Sequence, residues 1–172
     1  MSAVPLVGIP GLTPIFVDVE ASGFGYGSYP IEIGCVLADG SKHCTLIRPA
    51  ADWTHWDPAA ERVHGIGRGI LYRRGRPVRE TAGWLNALIG RQTLYSDNWS
   101  FDNSWIWRLF AEAGVLPRFR IESLRTLLTE AQAAHWYAAK QQVLQASRIE
   151  RHRASADACV LRLTYERVMA LP

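Results

Sequence analysis

The first apolar segment of the chain, Ile15-Phe16-Val17-Asp18-Val19-Glu20, is rich in β-branched and aromatic residues and stops at Ser22-Gly23. Such a segment predicts a strand that runs into a turn. Two further apolar runs, Ile31 to Leu37 and Cys44 to Ile47, flank a turn at Ala38-Asp39-Gly40. Together these segments predict a meander of three strands, so the sheet is expected to begin antiparallel.

Start and stop signals of helices follow in the middle of the chain. Asp57-Pro58 combines an N-cap residue with proline at the first helical position, which predicts a short helix ending near His64-Gly65. Val78 to Ile89 is predicted as the next helix, because Gly90 closes it. Thr93 to Ser96 is then predicted as a short strand.

The remaining predicted elements are helices. Trp105, Leu109 and Phe110 recur at helical spacing after the strand at Thr93. Residues 123–147 are rich in Ala, Leu and Gln without Pro or Gly, which predicts helix in one or two pieces. The last helix is predicted from about Ser155 to Met169.

Length and composition favour one folded domain. The chain has 172 residues, of which 48% are hydrophobic and 7 are Trp. A chain of this kind can bury a core of its own, here expected over about residues 13–170, and it is not disordered. The net charge is +3, and every basic residue except Lys42 and Lys140 is Arg. Because arginine binds phosphate through paired N–H groups, this bias permits a nucleic-acid partner.

Cysteine usage and hydropathy favour a cytoplasmic protein. Cys35, Cys44 and Cys159 are odd in number, widely spaced and free of any C-x-x-C pair. The segment Met1 to Pro14 lacks a basic start and is broken by prolines, so it is a poor signal peptide. No apolar run approaches membrane length, and no membrane partner is expected.

Candidate chemistry begins with two acids at the end of the first strand. Side chains alternate across a strand, so Asp18 and Glu20 point to the same face. Two adjacent carboxylates repel each other unless a cation lies between them. The pair alone fits a solvated strand end equally well.

Three more polar residues stand where helices begin. Asp102 belongs to the start of a helix, where a carboxylate also favours the helix dipole. His152 and Asp157 are five residues apart at the entry to the last helix, so both can face one cleft. Each is unremarkable alone, but together four carboxylates and one histidine fall at element ends that can converge.

In order and spacing these residues resemble the DEDDh exonucleases, the DnaQ-like group within the ribonuclease-H-like fold. The first motif is Phe16 to Phe24, and Ile31-Glu32-Ile33-Gly34 follows as its next strand. Val63-His64-Gly65-Ile66 also matches a recurrent family stretch. The second motif is Leu94 to Asp102, and the third is His152 to Ala158.

The resemblance spans nearly the whole chain and implies an α/β fold. In that fold a mixed five-stranded sheet, with three antiparallel strands and then parallel ones, is flanked by helices. The chain departs from the family at Ala21 and Ser22, where two threonines are frequent, and at Asp97 and Trp99, where His and Ala are common. The extra acid Asp97 could lie near the metals, but interpretation as a loop-capping residue is favoured.

The family's chemistry carries over to the matching positions. Asp18, Glu20 and Asp157 would hold one Mg²⁺ or Mn²⁺ ion, and Asp18 with Asp102 a second about 4 Å away. His152 would take the proton of the attacking water as general base. The product would be a nucleoside 5′-monophosphate.

The resemblance also assigns substrate contacts at the 3′ end of single-stranded RNA or DNA. The backbone of Ala21 and Ser22 would grip the terminal 3′ hydroxyl, and Phe24 would stack against the last base. Trp99 is a further candidate for stacking. His64, directly before Gly65, is expected to cap helix carbonyls and is left out of the site. The resemblance allows a homodimer, since in some relatives a neighbour's basic surface completes the groove.

Several functions are compatible with these residues. An exoribonuclease is favoured, because the domain stands alone without a polymerase or helicase in its chain, and a DNA exonuclease of repair or proofreading is the alternative. A non-catalytic nucleic-acid-binding scaffold would be expected to lack one of the acids or His152, and all are present. A two-carboxylate glycosidase explains neither Asp102 nor the pair of His152 and Asp157.

Overall fold

The computed structural model describes residues 13–147, 149 and 152–171. Most of the segment weighed above as a signal peptide, residues 1–12, lies outside them. The described part contains one five-stranded mixed sheet in the order β3-β2-β1-β4-β5. Its strands are β1 (Ile15–Ala21), β2 (Pro30–Val36), β3 (Lys42–Leu46), β4 (Thr93–Ser96) and β5 (Arg120–Ser123). The first three strands pair antiparallel, whereas β4 runs parallel to both β1 and β5.

Six α-helices in the described residues flank the sheet. They are α1 (Pro58–His64), α2 (Arg68–Arg74), α3 (Val78–Ile89), α4 (Trp99–Ala113), α5 (Glu130–Ala146) and α6 (Ala154–Met169). The architecture is therefore the predicted one, an α/β fold with three antiparallel strands followed by parallel ones.

Alternation along β1 divides its side chains between two faces. Ile15, Val17 and Val19 belong to the large core cluster that includes residues of α3 and α4. Phe16 instead packs with Leu161 of α6. Asp18 and Glu20 follow Phe16 at intervals of two, so they share the face of the sheet that α6 covers.

Most elements lie where local signals in the sequence predict them. The structure has α3 and β4 at the predicted bounds. The predicted N-cap of α1 also forms, since the Asp57 carboxylate accepts a hydrogen bond from the Ala59 N–H at 2.7 Å. Hydrophobic periodicity and capping residues thus suffice to predict an element whose position depends on its own residues.

Helix α2 was not predicted, and the predicted helical stretch 123–147 forms in two pieces. The structure adds α2, whose sequence begins with Gly67 as N-cap and contains Gly69 in its first turn, so it has little helical signal. The stretch 123–147 is divided into a 3-10 turn at Leu124–Leu127 and α5. The break falls where Thr129 forms a capping box with Gln132 and starts a new helix.

The start of α6 lies directly on β2. Glu32 is 1% exposed and accepts hydrogen bonds from the Ala154 N–H at 2.9 Å and from Arg153 Nη2 at 2.6 Å. At Gly34, a Cβ atom would lie 2.0 Å from the Ser155 nitrogen, so only glycine allows this approach. One charged residue and one missing side chain therefore fix the entry of α6.

The contact at Gly34 predicts a large effect of one methyl group. The variant Gly34→Ala must push α6 from the sheet, and overpacking of this kind costs about 1–3 kcal/mol or more of unfolding free energy. Thermal unfolding should show a melting temperature lower by about 5 °C or more. The matched control is Gly83→Ala in α3, where an added Cβ meets nothing within 4 Å and should raise stability slightly. Equal melting temperatures of the two variants would contradict the close packing.

Candidate active site

A cleft of about 660 Å³ opens beside the end of β1. Its polar lining comes from β1, the segment before α1, α1 itself, the β4–α4 loop, α5 and the entry to α6. The polar lining residues are Asp18, Glu20, Asp57, His64, Asp97, Asn98, Lys140, His152 and Asp157. Four of the five predicted catalytic residues thus line one cavity. The fifth, Asp102, is 1% exposed at the first turn of α4.

Three carboxylates in the cleft form a compact group. One oxygen each of Asp18, Glu20 and Asp157 lies within 4.8 Å of the others. Asp18 and Glu20 come from the same face of β1, and Asp157 comes from the first turn of α6. The docking of α6 on Glu32 and Gly34 is what brings the third acid to the other two.

Burial and mutual repulsion disfavour the ionised state of Asp18. Loss of solvent is the largest cause that raises its pKa well above the usual value, and the neighbouring charge of Asp102 is the second. Glu20, Asp157 and Asp97 raise the pKa further. Such a cluster needs protons or a cation to neutralise it.

Asp102 lies next to this group without belonging to the compact set of three. Burial raises its pKa to about 7, and a hydrogen bond donated by the Ser96 hydroxyl acts in the opposite direction. The same Ser96 oxygen accepts the Asn98 N–H at 3.0 Å. Ser96 at the end of β4 therefore fixes the second-motif carboxylate beside Asp18.

The donors suit a hard divalent cation. The compact group offers carboxylate oxygens alone, which is the chemistry that Mg²⁺ and Mn²⁺ prefer over softer metals. A bound cation would also reverse the pKa increase of Asp18, because it replaces repulsion by attraction. The residues present fit a metal centre held by Asp18, Glu20 and Asp157, with Asp102 adjacent.

His152 is held in an uncommon backbone conformation. Its φ of 65° places it in the left-handed region, which non-glycine residues seldom adopt. Its N–H donates to Asp157 Oδ2 at 2.6 Å, and this hydrogen bond stabilises the conformation. The side chain lines the cleft beside the three acids. The backbone of the predicted base is thus fixed by one of the predicted metal ligands.

Phe24 and Trp105 form an aromatic side of the cleft. Phe24 is 62% exposed and its ring centroid lies 5.8 Å from that of Trp105. Trp105 is fixed, since its indole N–H donates to Ser28 Oγ at 3.0 Å. Gly23 precedes Phe24 with a φ of 141°, and a Cβ there would lie 2.6 Å from Asp57 Cβ. Ala21 also lines the cleft, so this side matches the predicted place of the terminal nucleotide.

Two predicted substrate contacts lie outside the lining of the cleft. Ser22 is 1% exposed, and its hydroxyl accepts the Tyr29 N–H at 3.1 Å and bonds His55 Nδ1. Trp99 donates its indole N–H to the Ile121 carbonyl at 2.9 Å, which holds the ring against β5. The Ser22 side chain therefore fixes the turn, and the structure brings neither residue to the cleft.

For His64 and Asp97, the structure shows contacts that differ from those predicted from the sequence. His64 lines the cleft, and its Nδ1 accepts the Ile66 N–H at 3.0 Å instead of capping a carbonyl. Burial lowers its pKa, and its Nε2 has no hydrogen-bond partner among the described residues. Asp97 pairs with Lys140 at 2.5 Å. The pair of Asp97 and Lys140 is not encoded locally, because 43 residues separate its members, whereas His64 binds a residue only two positions further along the chain.

The fold resembles that of solved exonuclease structures. The zinc-bound form of an E. coli exonuclease I complex with single-stranded DNA has a TM-score of 0.69 and 16% identity, covering 90% of this chain and 39% of that chain. E. coli exonuclease I with a dA16 oligonucleotide has a TM-score of 0.68 and 15% identity, covering 90% and 40%. The chain thus spans about two fifths of the length of these proteins.

At these identities the likeness confirms the fold class, ribonuclease-H-like α/β. No protein-family model matches the chain. No curated protein sequence matches it significantly. Among the described residues, no helix has both the length and the apolar character needed to cross a lipid bilayer.

The raised carboxyl pKa values predict how metal-free stability depends on pH. Folded Asp102 has a pKa of about 7 against an ordinary value of 3.8, so the folded state binds this proton more tightly than the unfolded state. The unfolding free energy in EDTA should therefore fall as pH rises through this window, by up to about 1.4 kcal/mol per pH unit for one group. Melting temperatures at pH 5 and pH 8 measure this effect.

Two variants separate the source of that pH dependence. Asp102→Asn retains the shape and an acceptor for Ser96, and it should flatten the decrease. Asp52→Asn, at an exposed position outside the lining of the cleft, should retain it. Excess Mg²⁺ should also flatten the decrease, because the ion binds the folded state. A melting temperature that rises from pH 5 to pH 8 in EDTA would refute the account of the acids.

Proposed function

We propose that this protein is a divalent-metal-dependent 3′–5′ exonuclease that removes nucleotides from single-stranded nucleic acid. The observation that carries the proposal is the compact group of Asp18, Glu20 and Asp157, with buried Asp102 adjacent and His152 at the same cleft. This is the set of residues that the DEDDh resemblance implies, gathered from β1, α4 and α6. The fold shared with exonuclease I supports the same assignment.

Different residues of the chain have different roles in the proposed phosphodiester hydrolysis. Bound divalent ions would lower the pKa of a water and stabilise the charge that develops on the phosphate. Asp18, Glu20 and Asp157 provide the oxygen donors, and Asp102 adds a negative charge next to Asp18. His152 takes a proton from the attacking water as its oxygen bonds to phosphorus and the bond to the 3′ oxygen breaks. The strand keeps a 3′ hydroxyl, and the terminal nucleotide leaves as a 5′-monophosphate.

The direction of attack follows from the aromatic side of the cleft. Phe24 and Trp105 offer surfaces for the terminal base, and Ala21 lies between them and the acids along β1. A terminal nucleotide seated here places its 5′ phosphate at the carboxylates.

DNA and RNA use the same catalytic groups. From the sequence, RNA was the expected substrate. Two of the similar structures are complexes of E. coli exonuclease I with single-stranded DNA or a dA16 oligonucleotide. DNA therefore deserves equal weight as the substrate, and one assay can compare the two sugars.

The test is a comparison of 5′-labelled single-stranded DNA and RNA of one sequence, with Mg²⁺, with Mn²⁺ and with EDTA. We expect a ladder that shortens from the 3′ end and is absent in EDTA. Asp18→Asn should remove it, and His152→Ala should slow it by about 10²–10⁴-fold, as loss of a general base does. Asp52→Asn serves as the matched carboxylate control.

The products distinguish the competing functions. Release of nucleoside 5′-monophosphates would confirm the reaction, and the faster ladder would identify the sugar. Saturable binding of both strands without metal-dependent cleavage would instead identify a nucleic-acid-binding scaffold and overturn the proposal.

A further inference from the structure

A second cavity adjoins the cleft. It has a volume of about 460 Å³ and lies between α5 and the segment from the end of β5 to the 3-10 turn, and we name it the α5 groove. The residues of the α5 groove that matter here are Arg125, Trp136, Tyr137 and Gln141. Asp97 and Lys140 line both cavities, so their ion pair forms the border between cleft and groove.

The side chains of the α5 groove combine aromatic rings with cations. Tyr137 is 74% exposed on α5, whereas Trp136 is partly buried and packs against the cluster of Phe16 and Leu161. Arg125 is exposed and lies in no ion pair among the described residues. Aromatic faces beside cations are the means by which proteins bind single-stranded nucleic acid without reading its sequence.

The described charged residues that line the α5 groove are one acid, Asp97, and two bases, Arg125 and Lys140, and this excess of positive charge favours a phosphate in the groove. Asp97 is the single acid that lines the α5 groove within the described residues, and Lys140 neutralises it. A phosphate that approaches Lys140 competes with Asp97 for the same ammonium group. The basic residues at the end of α2 and just after it offer no such path, because Arg73 and Arg74 line neither cavity and Arg76 stacks on Trp84.

We infer that the α5 groove binds the strand from the third nucleotide counted from the 3′ end onward, an inference that rests on the proposed exonuclease function. A strand with its terminal base against Phe24 and its scissile phosphate at the carboxylates must leave the cleft. The adjoining cavity is the α5 groove, reached across Lys140. There Tyr137 stacks on a base, and Arg125 and Lys140 pair with phosphates. The volume is within the range of about 300–1,000 Å³ typical of small-ligand sites.

The inference predicts an effect that depends on substrate length. For Tyr137→Ala and Arg125→Gln, KM for an octanucleotide should rise about tenfold while kcat stays unchanged. KM for a dinucleotide, which ends within the cleft, should stay within about twofold. For the octanucleotide, Arg125→Gln should also reduce the slope of log KM against log salt by about 0.7, the value for one phosphate contact on a single strand.

Matched controls use the same residue types on α2. Tyr72→Ala and Arg73→Gln remove exposed side chains that line neither cavity, and they should leave both substrates unaffected. An equal rise of KM for both lengths would mean that the variants disturb the cleft itself. Such a result, or unchanged KM for the octanucleotide, would overturn the inference.

A binding experiment tests the α5 groove independently of catalysis. An octanucleotide with 2-aminopurine at the third or fourth position from the 3′ end is titrated with the protein in EDTA. Stacking on Tyr137 should quench the fluorescence, and Tyr137→Ala should restore it while Tyr72→Ala does not. Quenching that survives in Tyr137→Ala would refute the site. If the unmodified protein cleaves neither substrate, the proposed function fails, and this measurement still tests whether the α5 groove binds the strand.

Discussion

The contact on which the site depends is the docking of the first turn of α6 on β2. In the antiparallel register, Gly34 lies opposite Asp18 and Glu32 lies opposite Glu20. The missing side chain of Gly34 lets the α6 backbone approach, and the Glu32 carboxylate binds the N–H of Ala154. The same contact that packs α6 therefore sets Asp157 beside the two acids of β1. Arg153 neutralises Glu32, so this buried charge does not add to the negative cluster.

The electrostatic consequence is that this group of carboxylates lowers the free energy of unfolding when no cation is bound. Asp18 and Asp102 are buried beside other carboxylates, and burial is the largest cause of both raised pKa values. The start of α6 offers some positive potential to Asp157 through the helix dipole, but this is worth only about 0.3–1 kcal/mol at an ordinary surface site. Retaining four acids at this position costs stability unless a cation neutralises them. A metal-binding function explains why they are together.

The sequence predicted those features that depend on residues close together in the chain. Strand β1, strand β4 and helix α3 follow from periodicity and stop signals, and the five candidate catalytic positions, four of which line the cleft, were predicted from motifs at element ends. Helix α2 was missed because Gly67 and Gly69 weaken its signal, and packing stabilises it, since Leu71 is fully buried. Asp97 pairs with Lys140, 43 residues away, and no local pattern encodes such a partner. Ser22 and Trp99 show the same limit, since neither lines the cleft and no local pattern indicates the hydrogen bonds of their side chains to Tyr29 and Ile121.

Titration with Mn²⁺, followed by electron paramagnetic resonance, measures whether the carboxylates form a metal centre. Loss of the free Mn²⁺ signal counts bound ions without any assumption about substrate. We expect saturable binding of about two ions per chain, displaced by Mg²⁺ and strongly weakened in Asp18→Asn but not in Asp52→Asn. Absence of saturable binding, or identical binding by Asp18→Asn and the unmodified protein, would contradict it.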